Sequence, residues 1–223
     1  MIGVSSSSEL VLIASGNALL PGTLELPRSP RGLVLFAHGS GSGRLSPRNN
    51  YVAGELRRVG LGTLLLDLLS SDEESDHESR SYIALLGARL GDAALWLAAE
   101  TETQGLALGL FGASTGAAAA LQLAAGRPER IAAVVSRGGR PDLAGGKALA
   151  RVRAPTLLIV GGEDHTVVDL NRQALAELAC EKELAVVRGA TRLFEEQGAL
   201  KEVAQLAARW FNGYLGTPGQ STA

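Results

Sequence analysis

The chain contains short, unbroken runs of leucine, valine and isoleucine that alternate with longer stretches of helical periodicity. Such runs are typical of strands buried on both faces, because a strand with one wet face alternates apolar and polar residues. The alternation therefore predicts a mostly parallel sheet with helices on both faces. The predicted strands of this part lie at 33–37, 61–66, 106–111, 131–135, 156–160 and 184–187, and the predicted helices at 47–59, 79–99, 115–125, 168–179 and 195–211.

The beginning of the chain has a different pattern. Two strand-like segments, 8–14 and 18–26, flank Ser15-Gly16-Asn17, and this arrangement predicts an antiparallel hairpin. No internal repeat or linker divides the rest, and 223 residues suit one domain. We therefore expect a single α/β domain over residues 1–215, followed by a small, polar and disordered tail over 216–223.

The charge balance excludes one class of partner. Lysine and arginine together number 21, aspartate and glutamate 23, and the formal net charge is −2. Without an excess of positive charge, the chain has no basic surface that could hold a polyanion. We expect a small-molecule ligand and no nucleic-acid partner.

The sequence also predicts where the protein works. No uncharged apolar stretch reaches the roughly 18 residues that span a bilayer, and no charged start of a signal peptide precedes Arg28. Cys180 is the single cysteine, which excludes an internal disulfide and suits a reducing compartment. We expect a cytoplasmic protein without membrane contact, and the sequence does not decide between a monomer and a homodimer.

The most informative turn is a G-x-S-x-G sequence formed by Gly112, Ser114 and Gly116. It comes directly after a predicted buried strand and directly before an alanine-rich helix, which is the context that a nucleophile elbow requires. A serine on such a turn has a strained backbone and projects its hydroxyl above the sheet. The sequence predicts Ser114 as a nucleophile.

A second glycine-rich turn follows the strand at 33–37. Its small residues allow backbone N–H groups to approach an oxyanion, together with the N–H of Thr115. Glycines, a helix, a strand and then Asp67 also have the outline of a dinucleotide fingerprint. The spacing is G-x-G-x-G, however, and the helix begins late, at Ser46-Pro47, so we expect no nicotinamide, flavin or other organic cofactor.

Further candidates follow later strands. Asp164 lies in the turn that follows the strand at 156–160. A serine hydrolase of this architecture keeps there the acid that orients its base. Asp164 could also cap the next helix. Asp169 is the less favoured alternative, since it lies within that helix. Arg137 and Arg140 follow another strand and could hold a substrate carboxylate or phosphate, or be solvated arginines of a turn.

The acidic segment 71–80 contains carboxylates and His77 but no metal-ligand spacing. It lacks the glycine and the regular spacing of a calcium loop. We interpret it as a solvated charge run and expect no metal site.

Four segments together resemble the α/β-hydrolase superfamily, and within it the small, lid-free dienelactone-hydrolase-like branch: AHGSGSG at 37–43, FGASTG at 111–116, GGEDHTV at 161–167 and GATRLFEE at 189–196. The resemblance covers about residues 19–215 and implies a single-domain α/β-hydrolase fold. It also implies Ser114 as nucleophile, the backbone N–H groups of Ser40 and Thr115 as oxyanion hole, and Asp164 as triad acid. The implied reaction is acyl transfer from a small ester or lactone.

The sequence departs from this family at the base. The family loop before the last helix reads G-A-x-H-x-F, and Arg192 occupies the histidine position here. A guanidinium stays protonated and cannot accept the serine proton, so we expect Arg192 to pair with Asp164 and leave Ser114 unactivated. His165, at the carboxyl edge of the sheet where the site is expected, is a candidate substitute base. His77 and His38 are less favoured.

Two functional hypotheses remain open at this point. The first is a serine hydrolase that works through Ser114 with an incomplete or rearranged triad. The second is a protein that kept the hydrolase pocket, lost turnover and binds or senses a small molecule.

Overall fold

The computed structural model describes residues 7–39, 43–70, 72–73 and 82–216. In this part of the chain, eight strands form one sheet in the order β1-β2-β4-β3-β5-β6-β7-β8. The strands from β3 onward pair in parallel, and β2 pairs antiparallel with both β1 and β4. Their bounds are Ser7–Ser15, Ala18–Leu26, Leu33–Ala37, Gly62–Leu66, Leu108–Ala113, Ile131–Arg137, Thr156–Gly161 and Lys182–Val187.

Helices cover both faces of the sheet. The described helices are α1 (Pro47–Arg58), α2 (Ile83–Ala99), α3 (Thr115–Gly126), the one-turn α4 (Gly146–Leu149), α5 (His165–Glu177) and α6 (Ala199–Tyr214), with a 3₁₀ turn at Pro141–Ala144. Helices α1 and α6 pack on each other over one buried apolar cluster. Helices α2 and α3 cover a second cluster on the opposite face. The predicted mostly parallel sheet between helix layers, with its opening antiparallel hairpin, is confirmed.

The strand runs are buried because each lies between these two layers. All residues of β3, β4, β5 and β7 are buried. The continuous apolar runs therefore predicted these strands correctly, to within about two residues at each end.

Two of the differences between the predicted and the observed helix bounds have local reasons. The helix predicted at 168–179 begins earlier, at His165, because the Asp164 side chain caps it by accepting a hydrogen bond from the Val167 N–H. The helix predicted at 195–211 begins later, at Ala199, because Phe194 and Gly198 have left-handed backbone angles. The predicted tail falls almost wholly on residues 217–223, outside the described part.

Within the described ranges, we find no helix that combines the length and the apolar composition needed to cross a membrane.

Candidate active site

The turn between β5 and α3, called here the elbow (residues 112–116), has the strained geometry that the sequence predicts. Ser114 has φ 54° and ψ −127°, a region that residues other than glycine seldom occupy. A Cβ on Gly112 would lie 2.5 Å from the Ala117 Cα, and one on Gly116 would lie 2.4 Å from the Ala37 carbonyl oxygen. Both glycines are therefore required for the turn to be this sharp.

Thr115 is the first residue of α3, so its N–H has no partner within the helix and is available beside Ser114. The turn after β3 approaches the same place, since a Cβ on Gly39 would lie 2.6 Å from Thr115 Oγ1 and 3.3 Å from Ser114 Oγ. Ser40, the predicted second donor of the oxyanion hole, lies outside the described residues. The oxyanion hole as a pair of donors stays a prediction.

Asp67 and His38 stabilise the turn after β3 through their polar contacts. Asp67 Oδ1 accepts a hydrogen bond from the Arg44 N–H at 2.6 Å, and Asp67 Oδ2 lies 3.1 Å from Arg44 Nε. In a dinucleotide site this carboxylate would bind a ribose hydroxyl. Here it contacts Arg44 instead, which argues against that alternative. His38 is buried with Nε2 at 2.5 Å from the Leu66 carbonyl oxygen, and it supports the turn rather than reaching Ser114.

Residues 188–198 connect β8 to α6 and are called here the α6 loop. Arg192, in this loop, donates a hydrogen bond from Nη2 to Ser114 Oγ at 3.1 Å. The loop is anchored by Phe194, which is 1% exposed and has φ 56°. A Cβ on Gly138 would lie 3.0 Å from the Arg192 carbonyl oxygen, so the turn after β6 packs directly against the loop. Residue 192, the position at which the family resemblance implies a histidine, thus lies next to the serine.

The expected ion pair between Arg192 and Asp164 is wrong. None of the ion pairs among the described residues joins them. Asp164 Oδ1 instead accepts from the Val167 N–H at 3.2 Å, because Asp164 is the N-cap of α5. Its capping role, the alternative in the sequence analysis, is confirmed, and its other carboxylate oxygen has no hydrogen bond within the described part.

The histidines do not take the vacant role within the described structure. His165 is the first residue of α5 and is exposed, and no hydrogen bond or ion pair found in the described ranges involves it. His77 lies outside the described residues. Among the described residues, Arg192 is the side chain that forms a hydrogen bond with Ser114 Oγ, and no histidine does.

The two arginines after β6 have different environments. Arg140 forms a two-pronged pair with Asp142, at 2.9 Å from Nε to Oδ1 and 2.7 Å from Nη2 to Oδ2, and these hydrogen bonds raise the pKa of Arg140. Arg137 is only 8% exposed, and its Nη1 is buried without a hydrogen-bond partner in the described structure. Burial, reinforced by the positive charge of Arg48, lowers the pKa of Arg137 to about 10.

The burial of Arg137 was not foreseen, although the sequence carries a signal for it. Side chains alternate along a strand, so Arg137 shares a face of β6 with Ala133 and Val135, which point into the cluster under α1 and α6. The pair between Arg48 and Glu195, at 2.8 Å, was missed as well, because 147 positions separate the two residues.

Groups of three or more side chains suited to a metal ion are absent from the ranges that the structure describes.

Comparisons with known proteins support the fold described above. No family model matches the chain. The crystal structure of a dienelactone hydrolase from Anabaena variabilis is 52% identical, covers 94% of this chain and 99% of its own, and superposes with a TM-score of 0.91. A dienelactone hydrolase-like phosphotriesterase from metagenomic libraries has a TM-score of 0.77 at 18% identity, covering 96% of this chain and 100% of its own, and supports the fold alone.

Two curated relatives come from Mycobacterium tuberculosis, strains CDC 1551 and H37Rv, and their names describe a phosphoribosyl transferase. Each is 52% identical over 213 residues, which are 96% of this chain and 48% of the relative. The chain thus spans about half the length of these relatives. The near-complete match to the Anabaena structure, with the elbow and sheet described above, decides the assignment: the chain belongs to the dienelactone hydrolase family of α/β-hydrolases.

Proposed function

We propose that the chain hydrolyses a small carboxylic ester or lactone by acyl transfer through Ser114 Oγ. The observation that carries the proposal is the backbone of Ser114, whose φ of 54° is maintained by the close contacts of Gly112 and Gly116. Such strain persists only where the surrounding structure enforces it, and it is concentrated at functional sites. The dienelactone hydrolase from Anabaena variabilis supports the same reaction class.

In this proposal, Arg192 changes how the serine is activated. A guanidinium only donates hydrogen bonds, so Arg192 Nη2 cannot accept the Ser114 proton. Its positive charge nevertheless favours the alkoxide form of the serine. When Oγ attacks the carbonyl carbon, its proton goes to water or hydroxide, and the leaving alkoxide takes a proton from water. Water or hydroxide then cleaves the acyl–Ser114 ester, which releases the carboxylic acid and returns the Ser114 hydroxyl. Turnover is therefore slow, and we expect the rate to rise with pH without levelling near 7.

The Thr115 N–H supplies one donor for the oxyanion that forms when Oγ attacks. Removal of a single such donor costs about 10²- to 10³-fold in a serine protease of a different fold, so the elbow alone gives appreciable stabilisation. The Ser40 N–H is the second donor in this proposal. Asp164 and His165 take no direct part in the reaction as the chain stands, since neither is bonded to Ser114 or Arg192.

The test is covalent labelling. The protein is incubated with a fluorophosphonate probe at pH 7 and pH 9, and the adduct is located by mass spectrometry. We expect modification at Ser114, faster at pH 9, and none in Ser114→Ala. Ser136→Ala is the matched control, because Ser136 lies at the end of the next strand and should not change labelling. Labelling at another serine, or at none, contradicts the proposal.

A second candidate function follows from the same hydrogen bond. Because Arg192 donates to Ser114 Oγ and no described base contacts it, the place beside Ser114 is also suited to bind a small molecule without cleaving it. Absent labelling together with saturable ligand binding favours this alternative. The transferase activity named for the two mycobacterial relatives is not proposed here, since about half of each relative lies outside the match.

A further inference from the structure

Arg137 is a buried arginine with no carboxylate partner among the residues that the structure describes. It is 8% exposed, its Nη1 has no hydrogen-bond partner, and none of the described carboxylates forms an ion pair with it. Burying an unpaired charge is expensive, and in proteins such groups are normally paired or hydrogen-bonded. The positive charge of Arg137 therefore has no balancing negative charge in the described structure.

The position of Arg137 links it to the reaction centre. In the sheet, Arg137 lies beside Ala113, the residue that precedes Ser114. The residue after it, Gly138, packs against the backbone and Cγ of Arg192. Arg192 in turn reaches Ser114 Oγ at 3.1 Å. Arg137, at the end of β6, and Arg192, in the α6 loop, thus belong to two neighbouring segments at the carboxyl edge of the sheet, where Ser114 also lies.

Three other arginines of this edge are paired with carboxylates. The pairs are Arg44 with Asp67, Arg48 with Glu195 and Arg140 with Asp142. Arg137 and Arg192 have no such partner among the described residues, and Arg48 adds to the positive potential at Arg137. Of these two charges, the Arg192 guanidinium contacts Ser114 Oγ, and Arg137 precedes Gly138, which packs on Arg192.

The charge count selects the ligand class. A phosphate monoester carries about −1.5 to −2 charges at pH 7, which matches two uncompensated guanidinium groups. A single carboxylate would leave about one positive charge unbalanced. The planar guanidinium also fits phosphate oxygens with two parallel hydrogen bonds.

We propose that Arg137 and Arg192 form a subsite for a phosphate group, so that the ester or lactone presented to Ser114 belongs to a phosphorylated small molecule. This inference rests on the proposed function for the identity of the reacting atom. The anion-binding part stands on the two arginines alone.

The test measures binding of inorganic phosphate and of phenyl phosphate to the whole chain by calorimetry, with acetate at equal ionic strength as the monoanion reference. We expect both phosphates to bind more tightly than acetate, and phenyl phosphate more tightly than inorganic phosphate. Arg137→Met should weaken phosphate binding about 10- to 100-fold, the loss expected for one charge-assisted contact. Arg58→Met, which removes an exposed arginine paired with Glu55, should leave binding unchanged.

A second readout separates ligand binding from a structural role. Without phosphate, Arg137→Met should melt at the same or a higher temperature than the parent, because an unpaired buried charge is replaced by an apolar side chain. A lower melting temperature with unchanged phosphate affinity overturns the proposal. If Arg137→Met does not fold, Arg192→Gln changes an exposed residue of the same subsite and should weaken phosphate binding at least several-fold; unchanged binding overturns the proposal.

The phosphate-binding and Ser114-labelling experiments together distinguish this inference from the proposed function. Phosphate binding without labelling of Ser114 sustains the subsite and contradicts the hydrolase. Labelling of Ser114 without phosphate binding does the reverse. Tighter binding of inorganic phosphate than of phenyl phosphate shows that the site takes the free ion, and it overturns the assignment to a phosphorylated substrate.

Discussion

The elbow and the α6 loop meet at Ser114, but different kinds of interaction determine their conformations. The elbow depends on its own backbone, because added Cβ atoms on Gly112 and Gly116 would collide with main-chain atoms. The α6 loop depends on the buried ring of Phe194 and on contacts of its backbone with Gly138 and Gly161. Residue 192 is exposed and contributes little to this anchoring. The side chain at position 192 can therefore differ without moving the loop, so the fold by itself is no evidence for a base at this position.

The largest expected effect comes from restoring the base. Arg192→His places an imidazole where the guanidinium now contacts Ser114 Oγ, with one oxygen of Asp164 free to orient it. General-base catalysis contributes about 10²- to 10⁴-fold, so hydrolysis of p-nitrophenyl acetate should increase by that order. The rate should now rise with pH through about 6 to 7 and then level, because a histidine loses its proton in this range.

Arg188→His is the matched control for this change. Arg188 is an exposed arginine of the same loop, four positions earlier, and a histidine there should leave the rate unchanged. Substantial activity of the parent that is unaffected by Arg192→His but abolished by His165→Ala or His77→Ala would mean that the base has moved to another loop. In that case, the identity of residue 192 in the α6 loop would not determine whether Ser114 in the elbow is activated.

The anchoring of the α6 loop is tested by Phe194→Ala. Replacing a fully buried phenylalanine by alanine costs about 3–5 kcal/mol, since apolar contacts are lost and a cavity remains. Leu193→Ala, at a neighbouring residue that is 45% exposed, should cost less than about 1 kcal/mol. Chemical denaturation measures both values. Equal losses would show that the loop is not held by Phe194.

The sequence predicted the elbow and the sheet for the same reason. Both depend on local patterns, namely glycines around Ser114 and unbroken apolar runs, whose steric meaning does not require knowledge of distant residues. The partner of Arg192 was predicted wrongly, because the choice between Ser114 and Asp164 depends on how the cap of α5 turns its carboxylate. The isolation of Arg137 could not be predicted either, since it depends on Glu195 and Asp142 pairing with other arginines.

The elbow itself is tested by Gly116→Ala. The new Cβ would lie 2.4 Å from the Ala37 carbonyl oxygen, so the main chain must move, at a cost of about 1–3 kcal/mol. Gly126→Ala is the control at the other end of α3, where no atom lies within 4 Å of the added carbon. It should stabilise the protein by about 0.4–1 kcal/mol, because alanine loses less backbone freedom on folding. Similar values for the two variants would contradict a sterically fixed elbow.

The smallest expected effect measures the strain at Ser114 directly. Ser114→Ala and Ser114→Gly both remove the hydrogen bond from Arg192, but only glycine adopts φ 54° without a steric cost. Ser114→Gly should therefore be more stable than Ser114→Ala by about 1 kcal/mol, which thermal unfolding can resolve. At Ser136, whose φ is not positive, the order should reverse, because glycine weakens an ordinary strand. If alanine is the more stable residue at both positions, the elbow stores no strain, and its difference from the α6 loop then lies only in the packing of Gly112 and Gly116.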